Sequence, residues 1–252
     1  MDFSDKIVLV TGSSRGIGRS IAQSFAERGA SVTVHYNGNL VKARETMESL
    51  PGGPHFLVQA DIRNPTAVQD MIHSTTQQAG GLDILVNNAG IYEDHPLADV
   101  SYETWQESWR LVLETNLIGA ANVSYCAAQQ MIKQGHGRIV NVSSRGAFRG
   151  EPTSPAYGAS KAGMNAMSQS LAKYLAPFNI FVGVVAPGFV QTDMARGHLS
   201  GSQGDEIRNQ SPLGRVAWPE EVAYAVLFLA SEGSQFMTGA ILDVNGASYL
   251  RT

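Results

Sequence analysis

Residues Thr11-Gly12-Ser13-Ser14-Arg15-Gly16-Ile17-Gly18 join the first hydrophobic run of the chain to its first helical stretch. A glycine-rich turn between a strand and a helix is typical of a dinucleotide-binding sheet. Gly12 permits the tight turn, Gly16 allows a diphosphate to approach the backbone, and Gly18 allows the helix to pack closely on the strand. The spacing differs from GxGxxG by one residue inserted before the second glycine. This turn predicts a phosphate site at the start of a helix.

Short β-branched runs alternate with helical patterns along the rest of the chain. Strands are predicted at 6–11, 31–36, 55–60, 83–86, 138–142, 180–186 and 240–244, and helices near 16–28, 39–49, 65–79, 102–134, 155–176 and 219–231. This alternation predicts an α/β fold of the Rossmann type, a doubly wound parallel sheet of seven strands with helices on both faces. Residues 1–252 contain no repeat or linker, so we expect one dinucleotide-binding and catalytic domain.

The longest irregular stretch of the sequence is 187–218, which contains four glycines at 197, 201, 204 and 214. A loop of this length inside a compact domain is usually functional, and an active-site lid is the common case. We therefore expect a substrate lid within 187–218.

Composition excludes several classes of function. Of the 252 residues 43% are hydrophobic and 16% are charged, and the net charge is −4 with no basic run, which argues against nucleic acid or an anionic membrane as partner. The first residues have no signal-peptide pattern, and no apolar run is long enough to span a bilayer. The single Cys126 fits the reducing cytoplasm, and the six scattered histidines predict no metal site.

Two predicted helices carry almost no charge. Residues 117–132 contain no charged side chain, and 155–176 contain only Lys161 and Lys173. A helix that covers one face of a sheet needs only one apolar stripe, so helices this apolar are expected to be buried on more than one side. We expect them to form a subunit interface in a homotetramer or homodimer. The alternative is that an unusually thick loop covers their outer face.

Tyr157 and Lys161 stand four residues apart in a predicted helix, which puts both side chains on one face. A free tyrosine has a pKa of about 10 and exchanges protons poorly near neutral pH. Because a neighbouring ammonium stabilises the phenolate, we expect Lys161 to lower the pKa of Tyr157 toward a value useful in acid–base catalysis. Taken alone, the same spacing is also that of a solvated tyrosine beside a lysine.

Three further segments follow predicted strands at the edge where doubly wound sheets bind ligands. Asn87-Asn88-Ala89-Gly90 follows the fourth strand, Ser143-Ser144 the fifth and Pro187-Gly188 the sixth. Small and amide side chains suit a wall beside a ribose and an adenine. Asn-Asn-Ala-Gly and Pro-Gly are also ordinary turn sequences.

With these residues the chain resembles the short-chain dehydrogenase/reductase family over nearly all of its length. The matching features, in the family's order and approximate spacing, are the glycine turn, 87–90, Asn116, Ser144, Tyr157-x-x-x-Lys161 and Pro187-Gly188. The resemblance is closest to 3-oxoacyl-acyl-carrier-protein reductases of the bacterial type. It implies an oxidoreductase that interconverts a carbonyl and a secondary alcohol by hydride transfer.

The resemblance also implies roles for the matching residues. Tyr157 would be the general acid/base, Lys161 would lower its pKa and bind the nicotinamide ribose, and Ser144 would hydrogen-bond the substrate oxygen. Asn116 would kink its helix and hold a proton-relaying water. The choice of Ser144 over Ser143 rests on this resemblance. The implied cofactor-binding residues are Gly12, Ser14, Arg15, Gly16, Ile17, Gly18, Asn37, Asp61, Asn88, Ala89, Gly90, Tyr157, Lys161, Pro187, Gly188, Val190 and Thr192.

The end of the second strand bears on the choice between NAD and NADP. An acidic residue there bonds the adenosine ribose and repels a 2′-phosphate, whereas Val34-His35-Tyr36-Asn37-Gly38-Asn39 contains no carboxylate. Arg15 would pair with the phosphate, as in the NADP-using relatives that it resembles, and Asn37 and His35 add possible donors. We therefore expect NADP(H). The alternative is that Arg15 is an exposed loop charge and that Asn37 caps the next helix.

Asp61 follows the third strand and resembles the family's adenine-contacting aspartate. Its alternative role is to cap the helix that begins near Pro65, although Asn64 fits that role better.

The substrate is less constrained than the reaction. Segments that vary in the family, 91–99, 145–155 and 193–215, would line the substrate site. Arg145 and Arg149 would suit an anionic or polyhydroxylated carbonyl compound, and the alternative is that both are ordinary surface charges. Carrier-protein reductases typically place arginines before the fifth and sixth strands to dock the acidic carrier, whereas this chain has Gln134-Gly135 and Pro177-Phe178 there.

Three functions are therefore open from sequence. The first is an NADPH-dependent carbonyl reductase, and the second is a 3-oxoacyl-acyl-carrier-protein reductase of fatty acid synthesis. The third is a non-catalytic redox sensor that binds NADP(H). The complete catalytic set of Asn116, Ser144, Tyr157 and Lys161 favours an enzyme, because a sensor does not need it.

Overall fold

A parallel sheet lies at the centre of the protein. The computed structural model describes residues 1–195, 197 and 199–251, and within these it contains seven strands. The strands are β1 (Ile7–Val10), β2 (Ser31–Tyr36), β3 (Phe56–Gln59), β4 (Ile84–Asn87), β5 (Gly137–Val142), β6 (Ile180–Pro187) and β7 (Ile241–Val244). Their order is β3-β2-β1-β4-β5-β6-β7, and every neighbouring pair is parallel. The predicted fold class is confirmed, with strand ends within one residue of those expected.

Helices cover both faces of this sheet. They are α1 (Gly16–Ala26), α2 (Leu40–Glu48), α3 (Pro65–Ala79), α4 (Tyr102–Leu113), α5 (Ala120–Gln134), α6 (Gly146–Arg149), α7 (Pro155–Leu175), α8 (Gly201–Asn209) and α9 (Pro219–Ala230). One core joins the sheet to α1, α2 and α9, and a second joins it to α3, α5 and α7. Because the central strands are covered on both sides, they are rich in Val, Ile and Leu rather than alternating in polarity. None of the described helices has the length and apolar character to cross a membrane.

Asparagines fix the starts of two helices on the nucleotide side. The Asn39 side chain accepts a hydrogen bond from the Lys42 N–H and caps α2. Asn64 accepts from the N–H groups of Thr66 and Ala67 at the start of α3. These caps satisfy backbone donors that a helix leaves unpaired. Capping is thus not the role of the residues Asn37 and Asp61.

The helix predicted over 102–134 is interrupted at its middle. A π-helical turn, Glu114–Gly119, separates α4 from α5. Such turns insert an extra residue into the helical hydrogen-bond pattern and are frequent at functional sites. Asn116 lies in this turn and is fully buried.

The sequence predicted an irregular stretch over 187–218. The structure differs from this prediction, because the stretch contains the helix α8. Gly204 favoured a loop, but it is required inside this helix since a Cβ there would collide with the Leu199 backbone. Phe189, Ala195, Leu199, Ile207 and Val216 form a small hydrophobic cluster of their own beside the cavity. Residues 196 and 198 of the predicted lid lie outside the described residues, and lid motion stays a prediction.

Candidate active site

A cavity of about 600 Å³ runs along the carboxyl edge of the sheet. It crosses the point between β1 and β4 where the strand order reverses, which is where doubly wound sheets bind ligands. The residues that sequence implied for cofactor binding all line it: Gly12, Ser14, Arg15, Gly16, Ile17, Gly18, Asn37, Asp61, Asn88, Ala89, Gly90, Tyr157, Lys161, Pro187, Gly188, Val190 and Thr192. Ser144 lines it as well, whereas Asn116 does not.

The glycine turn is shaped for a diphosphate. Gly12 has φ +63°, and a Cβ there would lie 2.8 Å from the Ala89 Cα, so no larger residue fits. The Asn88 amide donates to the carbonyl oxygens of Thr11 and Gly12 at 2.9 and 3.1 Å and holds the turn against β4. Within the described part of the chain, no side chain caps the start of helix α1 at Arg15. Its free N–H groups face the cavity edge and suit an anionic ligand.

His35 is a structural residue rather than the phosphate donor that sequence suggested. Its Nδ1 accepts from the Gly12 N–H at 2.9 Å, and its Nε2 donates to the Ala60 carbonyl at 3.0 Å. Burial lowers the pKa of His35 to about 4, so the ring is neutral at pH 7, as this pair of bonds requires. Both nitrogens are used inside the protein, and the imidazole supports the glycine turn from beneath.

Two basic side chains and an amide line the cavity near the end of β2. Arg15 and Asn37 are exposed at the cavity, and Lys42 on the first turn of α2 also lines it. Lys42 Nζ lies 3.6 Å from an Asp193 carboxylate oxygen. Lys42 was not singled out from the sequence, because a lysine near a helix start is usually a solvated surface charge. Its position three residues after the Asn39 cap would have indicated that it points back toward this edge.

Asp61 faces the same end of the cavity but is held by a neighbour. Arg63 donates to both of its oxygens, the shortest contact being 2.6 Å. This bidentate pairing keeps the pKa of Asp61 below its usual range. Arg63 and Ile62 line the cavity beside Asp61 and were not singled out from sequence.

The structure distinguishes the two serines that follow β5. Ser143 is buried and its hydroxyl donates to the Lys161 carbonyl at 3.2 Å, so it anchors α7. The Ser144 hydroxyl accepts from the Gly146 N–H at 3.0 Å and hydrogen-bonds the Tyr157 side chain. Ser144, rather than Ser143, thus shares the site with the tyrosine.

The Tyr157 side chain lies between Ser144 and the ring of Tyr92. The two tyrosine rings meet edge to face with centroids 5.0 Å apart. Burial raises the pKa of Tyr157 to about 12, partly offset by the Ser144 hydrogen bond and reinforced by the charge of Glu151. The sequence predicted a lowered pKa here. That expectation is wrong for the protein's own groups, because desolvation of the phenolate outweighs the hydrogen bond.

Lys161 is almost fully buried beneath Tyr157. Its Nζ lies 5.8 Å from the centre of the Tyr157 ring and donates to the Val142 carbonyl at 2.8 Å. Burial lowers the pKa of Lys161 to about 8. Lys161 is therefore easily deprotonated for a lysine, and its ammonium sits near the ring rather than in a hydrogen bond to the phenol.

Asn116 acts from behind the cavity wall. Its Oδ1 accepts from the Ile91 N–H at 2.8 Å, and its Nδ2 donates to the Ile91 carbonyl at 2.9 Å and to the Ser160 hydroxyl at 3.2 Å. These bonds fix the segment that follows β4, where Gly90 lies against both Asn116 and the Lys161 ammonium. The carboxamide thus holds the Ile91 backbone in position, and the proton-relaying water that the resemblance implied at Asn116 stays a prediction.

Comparison with known proteins agrees with this geometry. A family model described as Enoyl-(Acyl carrier protein) reductase matches residues 12–247, which is most of the chain. The chain belongs to the short-chain dehydrogenase/reductase family. Its members act as oxidoreductases on CH–OH groups with nicotinamide coenzymes, and so this chain is an oxidoreductase of that class.

Individual relatives are similar over their whole length. The chain is 40% identical over 247 residues to 3-oxoacyl-(acyl-carrier-protein) reductase FabG of Staphylococcus aureus, with 97% of this chain and 98% of that protein covered. The FabG protein of Escherichia coli is 38% identical over 253 residues, with 99% and 100% covered. A crystal structure of a dehydrogenase/reductase from Sinorhizobium meliloti superposes with a TM-score of 0.90 at 31% identity, covering 99% of this chain and 97% of that one.

Proposed function

We propose that the protein is an NADPH-dependent reductase that converts a carbonyl compound into a secondary alcohol and catalyses the reverse oxidation. This proposal rests on one observation, which is that a single cavity joins two sites. At one end Ser144, Tyr157 and Lys161 meet, and at the other Arg15 and Lys42 surround a strand end without a carboxylate. An acid–base group and a dinucleotide site are what carbonyl reduction requires.

The protein's own groups handle the proton. A bound nicotinamide coenzyme supplies the hydride. As negative charge develops on the carbonyl oxygen, the Tyr157 hydroxyl donates its proton to that oxygen. The Ser144 hydroxyl hydrogen-bonds the same oxygen and stabilises the charge. The Lys161 ammonium, 5.8 Å from the Tyr157 ring, favours the phenolate that this step leaves.

Several contacts support a fit to the coenzyme. The uncapped start of α1 and the glycine turn would hold the diphosphate, and Lys161 would bind the nicotinamide ribose. Val190 and Thr192, which line the cavity after β6, would hold the carboxamide end. Arg15, Lys42 and Asn37 would receive a 2′-phosphate, because cations are present there and a carboxylate is absent from the residues described at the end of β2.

A second candidate is 3-oxoacyl-acyl-carrier-protein reductase. The names and the 38–40% identity of the FabG relatives favour it. Positions 134–135 and 177–178, where arginines would dock an acidic carrier, carry none in this chain, although Lys133 and Arg138 lie nearby. We therefore place this activity second to the reduction of small carbonyl compounds.

We also propose a homotetramer or homodimer in the cytoplasm. Tyr125 on α5 and Tyr174 on α7 are 64% and 67% exposed in the single chain, on two helices with few charges. A second copy of the chain would bury these rings. Light scattering coupled to gel filtration tests this, and a monomeric mass would contradict it.

The experiment that tests the function is a panel of carbonyl substrates followed by the loss of NADPH or NADH absorbance. The panel includes ketones, hydroxyketones and acetoacetyl thioesters of coenzyme A and of acyl carrier protein. The proposal expects NADPH-dependent turnover of small carbonyl compounds. Turnover of the carrier thioester alone would favour the second candidate, and oxidation of NADH but not NADPH would contradict the coenzyme.

A further inference from the structure

A carboxylate stands in the substrate end of the cavity beside the reacting group. Glu151 follows α6 and lines the same cavity as Ser144, Tyr92 and Tyr157. Burial is the main cause that raises the pKa of Tyr157, and the charge of Glu151 adds to it. Glu151 is therefore in the part of the cavity that a substrate must occupy to reach Tyr157.

Gly146 has no side chain, and the Glu151 carboxylate occupies the space that this leaves. A Cβ on Gly146 would lie 2.7 Å from the Glu151 Oε1, which means that the carboxylate rests directly over the bare backbone of Gly146. The Gly146 N–H in turn donates to Ser144. Any larger residue at 146 would displace the carboxylate, so its place next to the serine is set by the glycine.

The Glu151 carboxylate has no hydrogen-bond or ion-pair partner among the described residues. The two arginines near it are engaged elsewhere. Arg145 donates to Ser248 and Gln210 at 2.5 and 2.6 Å, and Arg149 donates to the same Gln210 oxygen at 3.2 Å. Both arginines favour the ionised carboxylate from a distance, but burial raises the pKa of Glu151 overall.

A half-buried carboxylate without a hydrogen-bond donor reduces the stability of the folded state. When it is ionised, it accepts hydrogen bonds and donates none. Resting on the proposed carbonyl reduction, we propose that Glu151 is a specificity-determining residue that accepts a hydrogen bond from a hydroxyl group of the substrate. The substrate class is thus a ketone or aldehyde with a hydroxyl near its carbonyl. A hydroxyl is favoured over an ammonium because Arg145 and Arg149 already provide two positive charges around this carboxylate.

This inference separates the two candidate functions. The acyl chain of a simple 3-oxoacyl thioester carries only alkyl groups beyond its oxo carbon, so this end of the molecule offers no donor to Glu151. A hydroxyketone offers one, and a hydrogen bond to a charged acceptor favours it by about tenfold or more over an alkyl group of the same size.

Matched substrate pairs test the inference. Hydroxyacetone is compared with 2-butanone, and 4-hydroxy-2-butanone with 2-pentanone, since each pair exchanges a hydroxyl for a methyl. In the wild-type protein kcat/KM should be about tenfold or more higher for the hydroxylated member of at least one pair. Glu151→Leu should abolish that ratio, and Glu151→Gln should reduce it. Asp94→Asn is the control, because Asp94 is an exposed carboxylate nearby that does not line the cavity, and the ratio should persist in it.

The ratio is read within each variant, so a general loss of activity does not affect it, and NADPH titration checks that each variant is folded. A wild type that reduces both members equally, or a Glu151→Leu variant that keeps the preference, overturns the inference while the proposed reductase stands. A preference for aminoacetone over hydroxyacetone overturns the choice of a hydroxyl. If the wild type binds NADPH but reduces no carbonyl compound, the proposed function itself fails, and the substrate assignment fails with it.

Discussion

The ammonium nitrogen of Lys161 lies 5.8 Å from the centre of the Tyr157 ring and is anchored by a 2.8 Å hydrogen bond to the Val142 carbonyl. The described part of the chain shows no hydrogen bond between the two side chains. Burial is therefore the main cause of both pKa shifts. It raises the pKa of Tyr157 to about 12 and lowers the pKa of Lys161 to about 8. At neutral pH the phenol carries its proton and is poised to donate it.

This proton state predicts how the two directions of reaction depend on pH. Reduction uses the protonated Tyr157, so its rate should be high at pH 6–7 and should not require alkaline conditions. Alcohol oxidation uses the phenolate, so its rate should climb with pH through the alkaline range toward the pKa of about 12. Initial rates of both directions with one ketone–alcohol pair check this. A reduction rate that rises steeply from pH 6 to pH 9 would contradict it.

A change at the end of β2 should alter coenzyme choice. Asn37→Asp places a carboxylate where the 2′-phosphate of NADPH would lie. Repulsion between the two negative charges should weaken NADPH binding by about tenfold or more. NADH binding should stay equal or tighten. Fluorescence titration with both coenzymes measures the two dissociation constants, and Asn37→Ser is the neutral control. Equal losses for both coenzymes would show that the phosphate lies elsewhere.

His35 should make the folded state sensitive to acid. Its pKa is about 4 in the folded protein and about 6.5 in the unfolded chain, so above pH 6.5 both states are neutral. As the pH falls below 6.5 only the unfolded state gains a proton, and the free energy of unfolding drops. Between pH 7 and pH 4.5 the wild type should lose about 2 to 3 kcal/mol more than His35→Gln.

Urea unfolding followed by tryptophan fluorescence at several pH values measures this difference. Other acidic groups titrate equally in both proteins, so the gap between them isolates His35. Parallel loss of stability in the two proteins would mean that the imidazole is not held neutral beneath Gly12.

Removal of the Asn116 side chain should loosen the wall behind Lys161. Asn116→Ala leaves the N–H and C=O of Ile91 without their partners, which should cost about 3 kcal/mol of folding stability. Asn122→Ala is the matched control, because the buried Asn122 amide nitrogen has no hydrogen-bond partner among the residues that the structure describes, and its loss should cost far less. Chemical denaturation of both variants measures their free energies of unfolding. Similar stability for the two would contradict the positioning role.

The sequence was sufficient to predict the sheet and the strand-end residues that line the cavity, but not Lys42, Ile62 or Arg63. The glycine turn, Asn88 and Ser144 each follow a strand, and in a parallel sheet all strand ends of one kind meet at one edge. Helix α8 was missed because Gly201 and Gly204 weaken the helical pattern. In the structure Gly204 lies inside the helix against the Leu199 backbone, where a larger residue would collide.

Other properties depend on the folded environment and could not be predicted from spacing. The Tyr157–Lys161 spacing predicted their proximity but not the sign of the pKa shift, because desolvation depends on everything packed around the phenol. His35 lies two residues before Asn37, so its sequence position suggested a ligand contact. In the sheet, however, its side chain turns beneath the glycine turn.

The most direct test of the account is the comparison of wild type with Tyr157→Phe, which removes only the hydroxyl. NADPH should bind both proteins with dissociation constants that agree within a few-fold, while kcat for reduction of the best ketone in the panel should fall by about 10²-fold to 10⁴-fold in the variant. A Tyr157→Phe protein that binds NADPH and still reduces that ketone at a rate near the wild type would show that this phenol does not donate the proton.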